Sequence, residues 1–347
     1  MSHYLTGTVT AVVQDRAGLQ RIEVDGAPAV VLTALTGPVA LGDRVVVSAV
    51  AERWGLGSSE GRIVHWNLER QAWTDPAAPP PEERAGITVK ARYTSVQAVG
   101  PTAEEREGGP PGDLGGLPVV GCHLHSQLAP VVAGILSGRP RARVAYVMTD
   151  AAALPLALSD AVASLRGSGA LVATVTAGQA FGGDHEAVTT ASGIQLAAAG
   201  ADVVVVGPGP GAAGSASRLG FGGLELAGLA RPVRALNGVP VLAVRASEAD
   251  PRPRHRGVSH HTRTVLELSG AGFLVATPQG ADAGFVAPPH EHRPVTLPPL
   301  AALAALVAAD LATMGRGPDE DPTFFLHAAA AGALAATLAG AAAAQAP

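Results

Sequence analysis

Two rhythms of apolar and polar positions divide this chain. As far as residue 67 the apolar positions fall in five short runs, at 5–13, 20–24, 29–33, 44–50 and 62–67, parted by the turn-forming stretches 15–18, 25–26 and 41–43. Five short strands with tight turns in that length predict a small all-β barrel of SH3 or OB type. From residue 117 the rhythm changes. Continuous apolar runs at 117–121, 143–148, 171–176, 202–206, 240–244 and 272–276 alternate with helix-like segments at 126–136, 159–166, 185–199, 222–230, 260–268 and 300–314. Strands that are apolar throughout are covered by helices on both faces. The expected fold class is therefore α/β, with a doubly wound, mostly parallel sheet behind a small N-terminal barrel. Pro/Gly-rich stretches at 76–81 and 108–116 flank one ordered segment, 87–99. The expected domains are 1–75, a linker at 76–116, and an α/β domain at 117–347.

Composition narrows the setting. Hydrophobic residues make up 47% of the chain and aromatics only 3%, so the core has to be built from Ala, Val and Leu. A net charge of −5 without a basic tail argues against general nucleic-acid binding, although the arginines at 252, 254 and 256 are a local exception. A single cysteine, Cys122, rules out an internal disulfide and suits a reducing cytosol. The first residues lack the charged-then-apolar profile of a signal peptide. Of the late apolar stretches, 300–314 is short and holds Asp310, and 326–344 is mostly Ala and Gly, with weak transfer energy. No membrane association is expected.

Candidate chemistry collects just after the apolar runs. Ligands of open parallel sheets bind outside the carboxyl ends of the strands, and six of the 11 histidines fall in such junctions. After the first run, His123 and His125 can share one metal if the strand persists through them. Otherwise they are polar groups at a strand end, with Ser126 capping the next helix. After the second, Asp150 has a helix-capping side chain, but Ser159 is the better cap beyond Pro155, which leaves Asp150 to face the site. After the third, Gly182 and Gly183 allow close backbone approach, while Asp184 is either a catalytic carboxylate or an N-cap with Glu186 in the first turn.

The fourth junction, Gly207 to Gly223, is neither a P-loop nor a dinucleotide fingerprint. Gly209, Gly211, Gly214, Ser215 and Ser217, with Arg218, form a candidate anion loop, or simply a flexible one. The fifth is the densest. Asp250-Pro-Arg252-Pro-Arg254-His255-Arg256 must be extended, and Ser259 caps a helix that opens with His260 and His261. Arginine forks suit phosphate or carboxylate; Asp250, His255, His260 and His261 suit proton transfer or metal ligation. A solvated charged loop is the alternative.

At these residues the chain resembles a bacterial family known as domain of unknown function 3866. The matching stretches are Leu124-His125-Ser126, Tyr146-Val-Met-Thr-Asp150 through Leu154-Pro155, Ala180-Phe-Gly-Gly-Asp184 with Glu186-Ala-Val188, and Arg252-x-Arg254-His255-x-Gly257-Val-Ser259-His260-His261-Thr262-x-Thr264. The resemblance spans most of the chain and brings no assigned activity. The family pattern has His where Gln179 stands, Gly-Thr-Gly-Thr at 214–217, and Thr-Gly-Gly within 55–61. Departures there imply altered affinity if those positions touch ligand.

The expected function is an enzyme acting on a small anionic, phosphorylated or nucleotide-like molecule. Arg252, Arg254 and the glycine loop would hold the anion, while His125, Asp184 and a histidine of the last cluster would move protons or hold a divalent metal. Candidate metal ligands are His123, His125, Asp184 and His260. A non-catalytic anion sensor is the alternative, and a metal-dependent hydrolase built on His123 and His125 a lesser one. The Ala/Gly-rich final helices offer a homodimer face, or else cover their own sheet.

Overall fold

Alternation on a two-residue period, with every second side chain turned inward, closes the N-terminal strands on themselves. The computed structural model describes residues 3–55, 61–78, 86–105, 109–211 and 213–345. They form two compact units, Met1–Pro101 and Thr102–Pro347. The first holds β1 (Tyr4–Arg16), β2 (Leu19–Val24), β3 (Ala27–Leu32), the single turn α1 (Thr33–Thr36), β4 (Arg44–Ser48), α2 (Val50–Arg53) and β5 (Arg62–Asn67). These strands make a closed barrel in the order β1-β2-β3-β5-β4, around Val9, Ile22, Val24, Val31, Val45, Val47 and Val64. All five expected strands are present. The glycine-rich stretch 55–61 lies largely outside the described residues. A hairpin of β6 (Ile87–Lys90) and β7 (Ala98–Pro101) completes the unit.

The second unit is an eight-stranded parallel sheet. Its elements run β8 (Pro118–Gly121), α3 (Leu128–Gly138), β9 (Val144–Thr149), α4 (Asp160–Gly167), β10 (Ala173–Ala177), β11 (His185–Ala187), α5 (Thr190–Ala198), β12 (Val203–Pro208), α6 (Ala230–Ala235) and β13 (Val239–Leu242). Then come the two-residue strands β14 (Ala246–Ser247) and β15 (Gly257–Val258), α7 (His260–Leu268), β16 (Leu274–Pro278), β17 (Glu291–Val295), α8 (Leu300–Ala304) and α9 (Pro322–Gln345). The strand order is β11-β10-β9-β12-β8-β13-β16-β17. Helices α3, α4 and α9 cover one face, and α5, α6 and α7 the other. Along β9, Val144, Tyr146 and Met148 enter the first core while Ala145 and Val147 enter the second. That two-sided burial is why the strands read as unbroken apolar runs.

Two expectations fail at the sheet's edges. Residues 185–187, expected to open a helix, form β11 instead, and the helix starts only after Thr189, whose hydroxyl caps it in a reciprocal pair with Ser192. Strand β17 carries Glu291, His292, Arg293 and Pro294 and is largely exposed. Charge and proline suit an edge that must not pair further, and they also erase the apolar signal. The segment expected as a helix at 300–314 stops at Ala304.

Helix α9 is the one described helix long and apolar enough to cross a membrane, yet two thirds of it is buried within the fold. It packs on α3 through glycine. A Cβ on Gly134 would lie 2.0 Å from the Ala329 carbonyl oxygen, and one on Gly332 2.0 Å from that of Val131. The small-residue face is thus filled by the protein's own α3. Replacing Gly by Ala inside a helix normally gains up to about 1 kcal/mol, but here backbone would meet side chain. Gly134→Ala should lower stability by about 3 kcal/mol or more, read from the urea midpoint; an unchanged or raised midpoint would refute the glycine contact.

Candidate functional site

Chain direction locates the crevice. From β8 the chain leaves through α3 on one face, whereas from β12 and β13 it leaves on the other. Neighbouring connections therefore diverge at the carboxyl ends of β9, β12, β8 and β13, the switch point at which such sheets bind ligands.

Past β8 the strand does not persist. Gln127 folds back, its Oε1 accepting from the main-chain N–H of His123 at 2.8 Å and of Leu124 at 3.3 Å, while its amide donates to the Val244 carbonyl at 3.1 Å. The two imidazoles consequently part, which corrects the shared-metal expectation. His123 is fully buried, with Nε2 3.3 Å from the Thr262 hydroxyl. His125 turns toward β9 and β12, with Nδ1 3.1 Å from the Pro208 carbonyl and Nε2 2.7 Å from the Ser159 hydroxyl. Ser159 caps α4, as expected. Ser126 caps nothing and meets the Thr313 hydroxyl at 3.1 Å.

Asp184 does not reach this crevice. Because β11 runs parallel to β10, the chain first returns past the start of β10, where the Asp184 carboxylate accepts from Thr174 N–H at 2.8 Å and from Arg166 at 2.9 Å. Glu186 is buried on β11, accepting from the Gly182 N–H and the Thr176 hydroxyl. Gly183 is tight against the β10 backbone, 2.9 Å from Thr176 N for an added Cβ. Asp150 is exposed and accepts from the Gln179 N–H at 2.8 Å. The glycine loop is not a ready anion cradle either. The Ser215 and Ser217 hydroxyls bond each other at 2.8 Å, and Arg218 pairs with Glu267. Gly209 admits the Ala153 carbonyl, Gly211 borders open space, and Gly214 lies against Phe221, 3.7 Å from its Cβ for an added Cβ.

The fifth junction does converge. Strands β14 and β15 pair Ala246 with Val258 and Ser247 with Gly257, folding the Pro/Arg segment into a closed lobe, and Pro253–His255 make a 3-10 turn there, which corrects the expected extended run. Ser259 caps α7 through the His261 N–H at 3.2 Å and lies 2.8 Å from His255 Nδ1. His255, His260 and His261 bring one ring nitrogen each within 4.8 Å of one another. The Phe221 ring, at the end of the glycine loop, stacks on His261 with centroids 3.7 Å apart. His260 Nε2 is buried without a partner among the described residues.

Sequence reasoning missed Arg245, which lies at the centre. It is 4% exposed, and its Nη1 is 2.8 Å from His261 Nδ1. Asp250, equally buried, is 3.8 Å from it but gives both carboxylate oxygens to Arg252, at 2.9 and 2.8 Å. Arg252, expected to bind ligand, is thus already engaged, whereas Arg254 is exposed without a described partner. Arg316 lies 4.0 Å from Asp250 and 3.3 Å from the buried Asp321.

Burial, together with the nearby Arg252, brings Arg245 down to about 10, still charged at neutral pH. Burial would raise Asp250, but the Arg252 bonds hold it well below the usual carboxylate range. Burial and then Arg245 lower His255 to about 3, and His260 falls for burial and Arg254. Burial takes His123 to about 3 and His125 to about 4. These four histidines are neutral at pH 7.

Neutral imidazoles can ligate a divalent metal. Of the four expected ligands, only His260 belongs to the converging group. Arg245 opposes that use: it donates to His261 Nδ1, which places the imidazole proton on Nε2, whereas a ligating histidine donates from its non-ligating nitrogen. Surrounding guanidinium charge opposes it further. The arrangement fits an anion better than a bare cation.

A family model described as a protein of unknown function (DUF3866) matches residues 28–332. The chain belongs to the DUF3866 family. No curated protein and no solved structure matches this DUF3866 member.

Histidines with depressed folded-state pKa values hold the native state most strongly above the unfolded value near 6.5, and that stability is lost as pH falls toward the folded values. At pH 5, unfolding of the DUF3866 chain should therefore take up about four protons at His123, His125, His255 and His261, the last brought down to about 2 by burial and Arg245. Urea unfolding between pH 7 and 5 checks this; a flat profile would contradict the buried, neutral assignment.

Proposed function

We propose that this protein binds and transforms a small anionic molecule, phosphorylated or nucleotide-like, in the crevice beyond β8 and β13. One observation carries the reading: Arg245 is a buried guanidinium whose nearest carboxylate is already held by Arg252. Four arginines, at 245, 252, 254 and 316, gather around two carboxylates, Asp250 and Asp321. An anion would supply the missing negative charge, with the α7 N-terminus adding a favourable dipole. Arg245 is the inner anchor and Arg254 the outer one. His260, partly exposed with an unpartnered Nε2, is the proton-transferring group.

A second reading, a non-catalytic anion sensor, is favoured by the Ser159–His125 pair. Its serine is buried and caps α4, so this hydroxyl–imidazole contact, the shortest among the described residues, is a structural tie rather than a nucleophile and base. The setting we propose is the cytosol, where the buried free thiol of Cys122 would stay reduced. A homodimer would need a surface other than the face of α9 that packs on α3.

Calorimetry with inorganic pyrophosphate at low salt tests the anion site. Arg245→Gln and the exposed Arg254→Ala should each weaken binding about tenfold or more. Unchanged affinity in a folded Arg254→Ala protein and in Arg245→Gln would sink the proposal. Phosphate release that disappears in His260→Gln while pyrophosphate still binds separates an enzyme from a sensor.

A further inference from the structure

A second cavity opens where β9 and β12 end, on the face covered by α5 and α6. Its volume is about 150 Å³. Ile194, Val206, Leu226 and Leu229 make its walls apolar, and Thr149 and Glu225 supply polar groups. A cavity of this size holds a benzene-sized molecule, on the order of six heavy atoms.

Glu225 is out of place in such a wall. One carboxyl oxygen accepts from the Thr149 hydroxyl, and the other has no partner among the described residues. Burial lifts the carboxyl to about 7; the Thr149 bond pulls it down, and the nearby Asp150 pushes it up again. The ionisable group nearby is the Asp150 carboxyl, and none of the described residues lining the cavity is a cation. Burial penalises the charged form of this half-buried carboxyl beside the apolar hollow, so a donor or a positive charge bound there would stabilise it. A ligand anion would meet two carboxyls and no counter-charge.

We propose that this cavity binds a small apolar molecule carrying a primary amine, its ammonium on Glu225 and its hydrocarbon part against Ile194, Val206 and Leu229. The aliphatic walls contribute by burial, and the charged head contributes a charge-assisted hydrogen bond. The alcohol of the same shape keeps the first term and loses the second. This site is separate in charge from the arginine cluster: the junctions after β9 and β12 present acid, and that after β13 presents base.

Ligand-observed NMR and calorimetry on the full chain, with n-butylamine and n-butanol as probes, test it. The amine should bind one to one and about tenfold or more tighter than the alcohol at pH 8. Amine binding should weaken as pH falls through 7 and Glu225 takes up its proton. Glu225→Gln should abolish the preference while leaving pyrophosphate affinity at Arg245 unchanged, which keeps failure here distinct from failure there. Ala191→Phe, which fills the hollow without touching the carboxyl, should exclude both probes. Equal affinity for amine and alcohol, or an amine preference that survives in folded Glu225→Gln protein, would overturn the proposal.

Discussion

A guanidinium buried at the end of a parallel strand cannot stay without a counter-charge, and much of the carboxyl edge is arranged around that constraint. Arg245 comes three residues after the end of β13, behind the buried Ala243 and Val244, so the chain beyond it has to return a carboxylate. The short ladder of β14 and β15 does so, bringing Asp250 to 3.8 Å. Arg252 then holds Asp250 from the solvent side, and Ser247 and Arg316 fix Asp321 just before α9 begins. The Arg245 main-chain N–H, donating to the Thr262 hydroxyl at 3.0 Å, sets the start of α7 against the strand. A Pro/Arg sequence that has the composition of a solvated loop becomes a closed lobe. Buried ion pairs of this kind add little to stability compared with apolar replacements, so their concentration here points to use rather than to folding.

The sheet was legible wherever burial was two-sided. Six central strands showed as continuous apolar runs because helices cover both faces, and five barrel strands showed through their turns. Both edges escaped. Strand β11 has three residues, two of them polar, and β17 carries the charges and proline that protect an open edge. The same physics that stops an edge from pairing with another chain also removes its hydrophobic signature.

The site was legible by place but less so by residue. His255, His260 and His261 meet at the start of α7, without Asp184, and β14 and β15 close the lobe that holds Asp250. Arg245 rather than Arg252 is the enclosed guanidinium, which composition cannot show; the available hint was that Arg245 directly follows the apolar run 240–244. Asp184 was lost because a parallel edge strand carries the chain back to the start of β10. That places it, just before β11, four strand spacings, about 19 Å, from β8 and at the other end of the strands. Glu225 sits in a glycine- and leucine-rich turn whose composition hides a carboxyl, and only packing against Thr149 reveals it.

The positive field of the arginine cluster also governs what the histidines can do. With the crevice as it stands, burial and guanidinium charge keep His260 neutral. A bound anion would offset that charge and raise the imidazole toward its ordinary range near 6.5. Under the proposed function the substrate itself would thus ready the acid, since an imidazole that gains a proton only beside a bound anion can donate it to a leaving oxygen. The buried His255 and His261, locked to Ser259 and Arg245, have no such freedom. Coupling between anion and proton therefore falls to His260 alone within this cluster, and it is Arg245, the residue that most needs a counter-charge, that makes the coupling possible.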